Sequence, residues 1–567
     1  MNSILEANLL ALSVNNRELC SRLQSACPSN RYTFSKSRSG ETVPGNPRPL
    51  HSMIDPRREA FRLVPAKDVP FTVFLGLGGG FAPEAALQQG AQAAVVIDFC
   101  LEDIACLFSG VDYTHLLKNE RFFLLIDPLR QEIKDFILEH YNPSLHGGIR
   151  TIPLRTRTEQ DQAKFEDAAA AIQEAIDITG ADYSVQAHFG KRWFSNIIRN
   201  IGQAQTRPET FWRDKKALPI HEAAVAAAGP SLDTQIPSLG ECKSRNVFII
   251  SCDTALPVLL HNGIEPDAVV SIDCQHISYY HFLGCELRGI PLILDIASPP
   301  MLAGFSQAPV FFSSGHPLAK YISETWRPFA QIDTSGGNVT YACLSLAENL
   351  GARRITLFGA DFAYIRCQTY ARGTYVYPFF AAKQNRLRPI EAGLSAFLYR
   401  SPFLPRENVH QMREYYETSQ LRHYRKKLEE KASLMTAGVS CAPGAGAPVN
   451  LQKARRAAEH EDTPLSEDKP LFIDARAQQS AAVFLEQYRG AIDALPEAGD
   501  AENYMRKLSA AQGRIFTTLL PYMAAVKKRN AELKLKDLIN ETKRRCVEEI
   551  DCVLPNCVGL PNLAGRP

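Results

Sequence analysis

Short apolar runs, closed by glycine, proline or an acidic residue, dominate two stretches of the chain, and helical periodicity fills the gaps between them. Phe71-Thr-Val-Phe-Leu75 leads into Gly76-Leu-Gly78-Gly79-Gly80, and a helical pattern follows from Glu84 to Gln89. Ala93-Ala-Val-Val-Ile-Asp98 and Phe122-Phe-Leu-Leu-Ile126 then read as buried strands. Strand, tight turn, helix and strand in that order form a βαβ pattern, which requires a parallel sheet. Asp161 to Ile178 predicts an amphipathic helix, and Arg192 to Ile201 continues helical. The first 70 residues are polar, with one helical stretch near Asn8 to Leu23.

A cleaner alternation begins near residue 220. Ala223 to Ala228, Asn246 to Ser251, Asp267 to Asp273, Pro291 to Asp295, Val310 to Ser313 and Ile355 to Phe358 read as strands, with helices over Leu256 to Asn262 and Val339 to Leu350. Continuously apolar strands separated by helices predict an α/β fold: a doubly wound, mostly parallel, Rossmann-like sheet covered on both faces. From Thr436 to Lys469 glycine, proline, alanine and charge collect without periodicity, the composition of a mobile linker. Asp474 to Cys552 has apolar residues every three or four positions, with Pro496 and Pro521 as breaks, and predicts a helical module. The expected organisation is therefore a smaller α/β domain over 1–215, the sheet core over 216–435, a flexible linker over 436–470 and a helical module over 471–567.

Composition narrows the class. Of 567 residues, 45% are hydrophobic and 22% charged, which excludes wholesale disorder. Lys plus Arg number 63 against 61 for Asp plus Glu, so no basic excess points to a nucleic-acid partner. No apolar run approaches the ~20 residues that a membrane-spanning helix needs. The first residues lack the basic-then-apolar order of a secretory signal, so a cytoplasmic location is expected. Fourteen cysteines are scattered with no C-x-x-C pair, which predicts reduced thiols, and no metal ligands are expected.

Candidate chemistry falls at predicted strand ends, where open α/β sheets bind ligands. Gly229-Pro230-Ser231 follows a strand and opens a helix; glycine admits a close approach, and amides at a helix start can hold a phosphate. The alternative is a plain tight turn. Ser335-Gly336-Gly337-Asn338 is a second such turn, so the two together suggest a nucleotide cradle. Asp253 and Asp273 close two strands, as carboxylates for hydroxyls or a metal, or as helix caps. Gly76 to Gly80 with Asp98 about twenty residues on approaches a dinucleotide fingerprint, although G-x-G-G-G is not G-x-G-x-x-G. His276 and His281 are the closest pair among 13 histidines, and a solvated or core role is expected for both. Lys383, Arg386 and Arg388 follow an aromatic stretch and would meet an anion or remain a solvated loop.

Ala228-Gly-Pro-Ser-Leu-Asp233, Pro266-Asp267 through Ser271-Ile-Asp273, Ser335-Gly-Gly-Asn-Val-Thr340 and Leu357-Phe-Gly-Ala-Asp-Phe-Ala363, in this order and spacing, resemble the motility accessory factor (Maf) family of flagellin glycosyltransferases, with its MptE-like (6-hydroxymethylpterin diphosphokinase-like) core. Leu50-His-Ser52 to Asp55-Pro56, with Glu59-Ala60, resembles that family's entry segment. The likeness spans about residues 8–430, and the core is also similar to bacterial sialyltransferases. It implies transfer of a nonulosonic (sialic-acid-like) sugar from a CMP-activated donor to Ser or Thr of flagellin, with no cofactor beyond the donor. By position it implies donor contacts from Gly229, Pro230, Ser231 and Asp253, a pocket lined by Ser335 to Asn338, catalytic roles for Asp361 and Asp273, and a substrate loop at Thr369 and Tyr370. His410 is the nearest candidate for the general base. Ile97-Asp98-Phe99 departs from the family's acidic residue and proline. The competing enzyme reading is a pterin diphosphokinase using ATP and Mg²⁺ at Asp253, Asp273 and Asp361; the non-enzyme reading is a nucleotide-binding adaptor for flagellar proteins.

Overall fold

The computed structural model describes residues 3–64, 71–207, 220–287, 289–307, 309–408, 413–451, 477–498 and 504–558. The chain divides into two compact units: Met1–His188 with Pro496–Ser509 and Leu520–Thr542, and Phe189–Leu495 with Ala510–Leu519 and Lys543–Pro567. No helix of the described residues is long and apolar enough to cross a membrane.

The first unit holds a short antiparallel hairpin, β1 (Thr33–Lys36) and β2 (Thr42–Gly45), and four parallel strands, β3 (Phe71–Leu75), β4 (Ala93–Asp98), β5 (Phe122–Ile126) and β6 (Ile149–Pro153), in the order β5-β4-β3-β6. β3 and β4 are buried along their whole length, as their unbroken apolar sequences require. The polar N-terminal region carries two helices, Ser3–Asn15 and Arg17–Ser25, where one is expected, because Asn16 accepts from the Leu19 amide and restarts the helix.

The second unit contains an eight-stranded, wholly parallel sheet: β7 (Glu222–Ala226), β8 (Phe248–Cys252), β9 (Ala268–Ser271), β10 (Leu292–Asp295), β11 (Pro309–Ser313), β12 (Ala330–Gln331), β13 (Arg354–Phe358) and, beyond the small antiparallel sheet of β14 (Tyr364–Ile365), β15 (Phe403–Asn408) and β16 (Arg413–Thr418), the edge strand β17 (Gly438–Cys441). Its order is β12-β11-β10-β9-β8-β7-β13-β17. The chain therefore builds outward from β7 on one side and returns to β13 on the other. Helix Val339–Asn349 lies on β7, β8 and β9, and its Ala342, Cys343 and Leu346 are fully buried against them. Helix Leu232–Ser244 packs on β7, β8 and β13.

Three expectations change. The stretch expected to be a linker contributes β17, which pairs with β13 from Arg354↔Gly438 to Leu357↔Cys441. Val439, 2% exposed, supplies the apolar contact that composition alone conceals. The helical patterns at 161–178 and 192–201 are parts of one helix, Gln162–Gln205. Its last turns enter the second unit, where Asn196 donates to the carbonyls of Cys274 (3.2 Å) and Ala297 (2.8 Å) and Asn200 to those of Ile296 (2.7 Å) and Ser298 (2.8 Å). The C-terminal region is helical, as expected, in Ala481–Asp493, Ala510–Arg529 and Leu535–Cys557, although these helices divide between the two units, and Pro521, expected as a break, lies inside a continuing helix.

Candidate active site

The strand order of the second unit reverses between β7 and β13, and the crevice at such a reversal is the default ligand site of a doubly wound sheet. Gly229-Pro230-Ser231 leaves β7 there, and Asp361 leaves β13. The Gly229 amide donates to the Gly359 carbonyl at 2.9 Å and the Ser231 amide to Asp361 Oδ2 at 2.8 Å. The Ala445 amide, just past β17, donates to Ser231 Oγ at 2.9 Å. Gln235 completes the clamp, accepting from the Gly359 amide at 2.7 Å and donating to the Pro443 carbonyl at 2.9 Å. A Cβ on Gly229 would collide with the Asp361 carboxylate and the Gly359 carbonyl. Burial pushes the Asp361 carboxyl up from its ordinary range, and hydrogen bonds from Ser231 pull against it. The turn and its aspartate thus form one cluster, with the Ser231 amide already engaged by the protein.

A second cluster forms at the ends of β8 and β9. Asp253 is fully buried; it accepts from Ser271 Oγ and the Thr254 amide, both at 2.7 Å, and pairs with His281 Nδ1 at 3.3 Å. Burial opposes its ionisation, but the His281 ring and these hydrogen bonds prevail and hold its carboxyl below the ordinary range. His281 is 6% exposed, and its ring centroid lies 4.6 Å from that of Tyr375. Asp253 accepting at Nδ1 fixes the proton there and leaves Nε2 as the basic nitrogen. Asp273 accepts from the Gln275 amide at 2.9 Å; burial pushes it up, and the Asp253 charge adds to the effect. Tyr370 stands beside Tyr375, ring centroids 6.2 Å apart, its hydroxyl pushed up by burial.

The Ser335–Asn338 turn caps helix Val339–Asn349, Asn338 Oδ1 accepting from the Tyr341 amide at 3.0 Å. Gly336 leaves room for the Tyr341 ring, and Gly337 is left-handed at φ +71°. One residue into the helix, Thr340 Oγ1 lies 3.7 Å from Sγ of Cys252, so the helix that this turn opens packs on the end of β8, next in sequence to Asp253. Thr369 is half-buried in the loop after β14. Lys383 lies over the Phe379 ring at 3.6 Å, and Arg386 and Arg388 are exposed. His410 lies outside the described residues.

In the first unit, the glycine loop after β3 is filled from within. Leu77 donates to Asp98 Oδ2 at 2.7 Å, Gly79 to His51 Nε2 at 2.8 Å, Gly76 to the Ile97 carbonyl and Gly80 to that of Leu77. Asp98, the expected ribose partner, is fully buried 2.8 Å from Arg157, itself fully buried. Four of the five amides of this loop, those of Gly76, Leu77, Gly79 and Gly80, are thus committed to the protein.

The 6-hydroxymethylpterin diphosphokinase MptE-like family model matches residues 195–366, the stretch that holds both clusters. An uncharacterized protein of Treponema pallidum (strain Nichols) is 34% identical over 189 residues, 32% of this chain and 88% of that protein. The chain belongs to the MptE-like family. A second Treponema pallidum protein, also uncharacterized, is 34% identical over 155 residues, 27% of this chain and 51% of its own length, so the chain spans only about half of that relative. Among solved structures, the Maf glycosyltransferase from Magnetospirillum magneticum AMB-1 superimposes with TM-score 0.59 over 99% of this chain and 98% of that one, at 14% identity. This MptE-like protein therefore has the Maf glycosyltransferase fold.

Two ionisable groups at these strand ends escape sequence reasoning. His281 lies in His276-Ile-Ser-Tyr-Tyr-His-Phe282, where nothing local distinguishes a core histidine from a paired one; its only signal is a helical turn placed just after Asp273. Asp295 closes β10, 4% exposed, and burial pushes its carboxyl up to about 6.

Proposed function

We propose that this MptE-like protein is a cytoplasmic glycosyltransferase that moves a nonulosonic sugar from a CMP-activated donor to a Ser or Thr hydroxyl of flagellin or a related flagellar protein. One observation carries the reading: a buried aspartate, Asp253, orients a histidine, His281, at the carboxyl edge of the sheet. A histidine so held is suited to take a proton from a hydroxyl nucleophile. In the proposed step the acceptor hydroxyl gives its proton to His281 Nε2, the acceptor oxygen forms the new glycosidic bond, and the bond from sugar to CMP breaks with its electron pair leaving on the phosphate. In this reading the Ser335–Asn338 turn flanks the donor; Asp273, Thr369 and Tyr370 border the sugar or the acceptor; Gly229, Pro230, Ser231 and Asp361 form the wall beside it.

The family description raises the diphosphokinase alternative. Its Mg²⁺ would need Asp253, Asp273 and Asp361 together, yet Asp361 is held by Ser231 and Asp253 by Ser271, Thr254 and His281. Among the described residues no group of three or more potential ligands gathers. These carboxylates do not fit such a site.

Incubating the protein with CMP-activated sugar and flagellin, followed by mass spectrometry of the flagellin, tests the proposal. His281→Ala should abolish sugar addition, and Asp253→Asn should depress it strongly while CMP still raises the melting temperature. Sugar addition undiminished in His281→Ala would refute the assignment, and stabilisation by ATP with Mg²⁺ but not by CMP would favour the diphosphokinase.

A further inference from the structure

Beside the Gly-Pro-Ser clamp, the surface opens into a cleft of about 610 Å³. Its walls are the first turn of helix Leu232–Ser244, the end of helix Leu256–His261, the loop after β14 and Pro443-Gly444-Ala445. Its charges are unbalanced. Asp233 is the one carboxylate in the wall, against Arg366 and Arg372, with His261 at the edge. Arg372 is mostly exposed, 4.0 Å from Asp233, and its amide caps the same carboxylate at 2.9 Å. Arg366 makes no ion pair among the described residues.

The backbone that carries Arg366 is unusual. Ile365 and Gln368 exchange two backbone hydrogen bonds, of 3.3 and 2.9 Å, around a two-residue turn. Both central residues are left-handed, Arg366 at φ +50° and Cys367 at φ +59°. Two-residue turns of this kind strongly prefer Asn-Gly, because a Cβ is disfavoured at positive φ. Arg-Cys has neither the missing Cβ of glycine nor the local hydrogen bonding of asparagine to offset that cost. Strain kept where a glycine would relieve it points to a use for the side chain, and here the side chain is a cleft-lining guanidinium with no ion pair among the described residues.

We propose that this cleft binds a phosphate-bearing ligand and that Arg366 anchors its anionic group, with Arg372 as the second cation. The planar guanidinium suits a bidentate grip on phosphate oxygens. The inference stands on the cleft and the turn alone, whether or not a CMP-sugar is the donor.

The test is calorimetric titration of the full chain with inorganic pyrophosphate and separately with CMP, beside melting curves. Arg366→Gly removes the charge and the strain together, so it should raise the melting temperature by roughly 2 °C while weakening pyrophosphate binding roughly tenfold or more. Cys367→Gly relieves the neighbouring strain and keeps the charge, so it should raise the melting temperature with affinity unchanged. Failure of both probes to bind the parent would overturn the proposal, as would equal affinity in Arg366→Gly. Equal loss of affinity in both variants would overturn it too, by assigning the effect to loop shape. Because pyrophosphate carries no sugar, a chain that binds it but transfers nothing to flagellin would refute the proposed reaction and leave the cleft assigned.

Discussion

Ser231 and Asp361 are 130 residues apart in sequence, yet the amide of one donates to the carboxylate of the other at 2.8 Å across the point where the sheet reverses direction. Gly229 is glycine because that carboxylate and the Gly359 carbonyl occupy the space of a side chain. Gly229→Val should therefore destabilise the second unit by about 3 kcal/mol or more, through overpacking against backbone that cannot retreat. Ser231→Ala, which removes the acceptor of the Ala445 amide and the hydroxyl's hydrogen bond to Asp361 but keeps the Ser231 amide in place, should cost about 1–2 kcal/mol. Urea unfolding of both variants checks the ranking; a Val variant as stable as the parent would contradict the clamp.

Asp98 and Arg157 are fully buried and paired at 2.8 Å. Arg157→Met strands a buried carboxylate and should cost about 3–5 kcal/mol, whereas Asp98→Leu with Arg157→Met should cost clearly less than the sum of the singles. A double-mutant cycle measures this coupling. NAD and ATP should leave the melting of the first unit unchanged, since four of the five loop amides already have partners.

His51 accepts the Gly79 amide at Nε2, and burial pushes its pKa down to about 4. Protonation would set a donor against a donor. Because the folded value lies below the ordinary 6.5, the stabilising effect is complete above pH 6.5 and is lost as pH falls toward 4. The slope is about 1.4 kcal/mol per pH unit for this one proton. His51→Asn should flatten that part of the stability curve, as denaturant midpoints at pH 7.5, 5.5 and 4.5 would show.

Asp295 has the opposite sign. Burial raises its carboxyl to about 6, so its folded form is favoured while protonated, and that contribution fades as pH rises from about 4 through 6. Asp295→Asn keeps an acceptor for the Ala297 amide, now at 2.9 Å from Oδ1. It should stabilise the second unit by roughly 1–3 kcal/mol at pH 8 and change little at pH 4.

Strands that are almost wholly apolar were legible almost to the residue: the run Ala93 to Asp98 is β4, and Phe71 to Leu75 is β3. The antiparallel strands β1, β2, β14, β15 and β16 were unforeseen, and so were three of the parallel ones, β6 (Ile-Arg-Thr-Ile-Pro), β12 (Ala-Gln) and β17 (Gly-Val-Ser-Cys). All three lie at sheet edges, where one flank faces no partner strand and short or polar sequences suffice. The two small-residue turns were visible because glycine marks close approach, but what approaches is set by tertiary structure. At Gly229 it is the protein's own Asp361. His281 was unreadable as a site residue because its partner is 28 positions earlier, and nothing in a single sequence reports that pairing. The places of Asp253 and Asp273 just past β8 and β9, by contrast, were legible from the apolar runs that precede them.

The edge strand β17 has a consequence for biosynthesis. Ser231 waits for the amide of Ala445, 214 residues downstream, and β13 for a neighbour that follows it by some eighty residues. At roughly 5–20 residues per second on the ribosome, the interval between the two halves of the clamp is about 10–40 s. Through that time β7 and its turn have left the exit tunnel without their lock, and the nascent sheet presents an open parallel edge. A messenger truncated before codon 445 would release a polypeptide with nearly all the strands and no finished switch point, a natural client for chaperones and proteases.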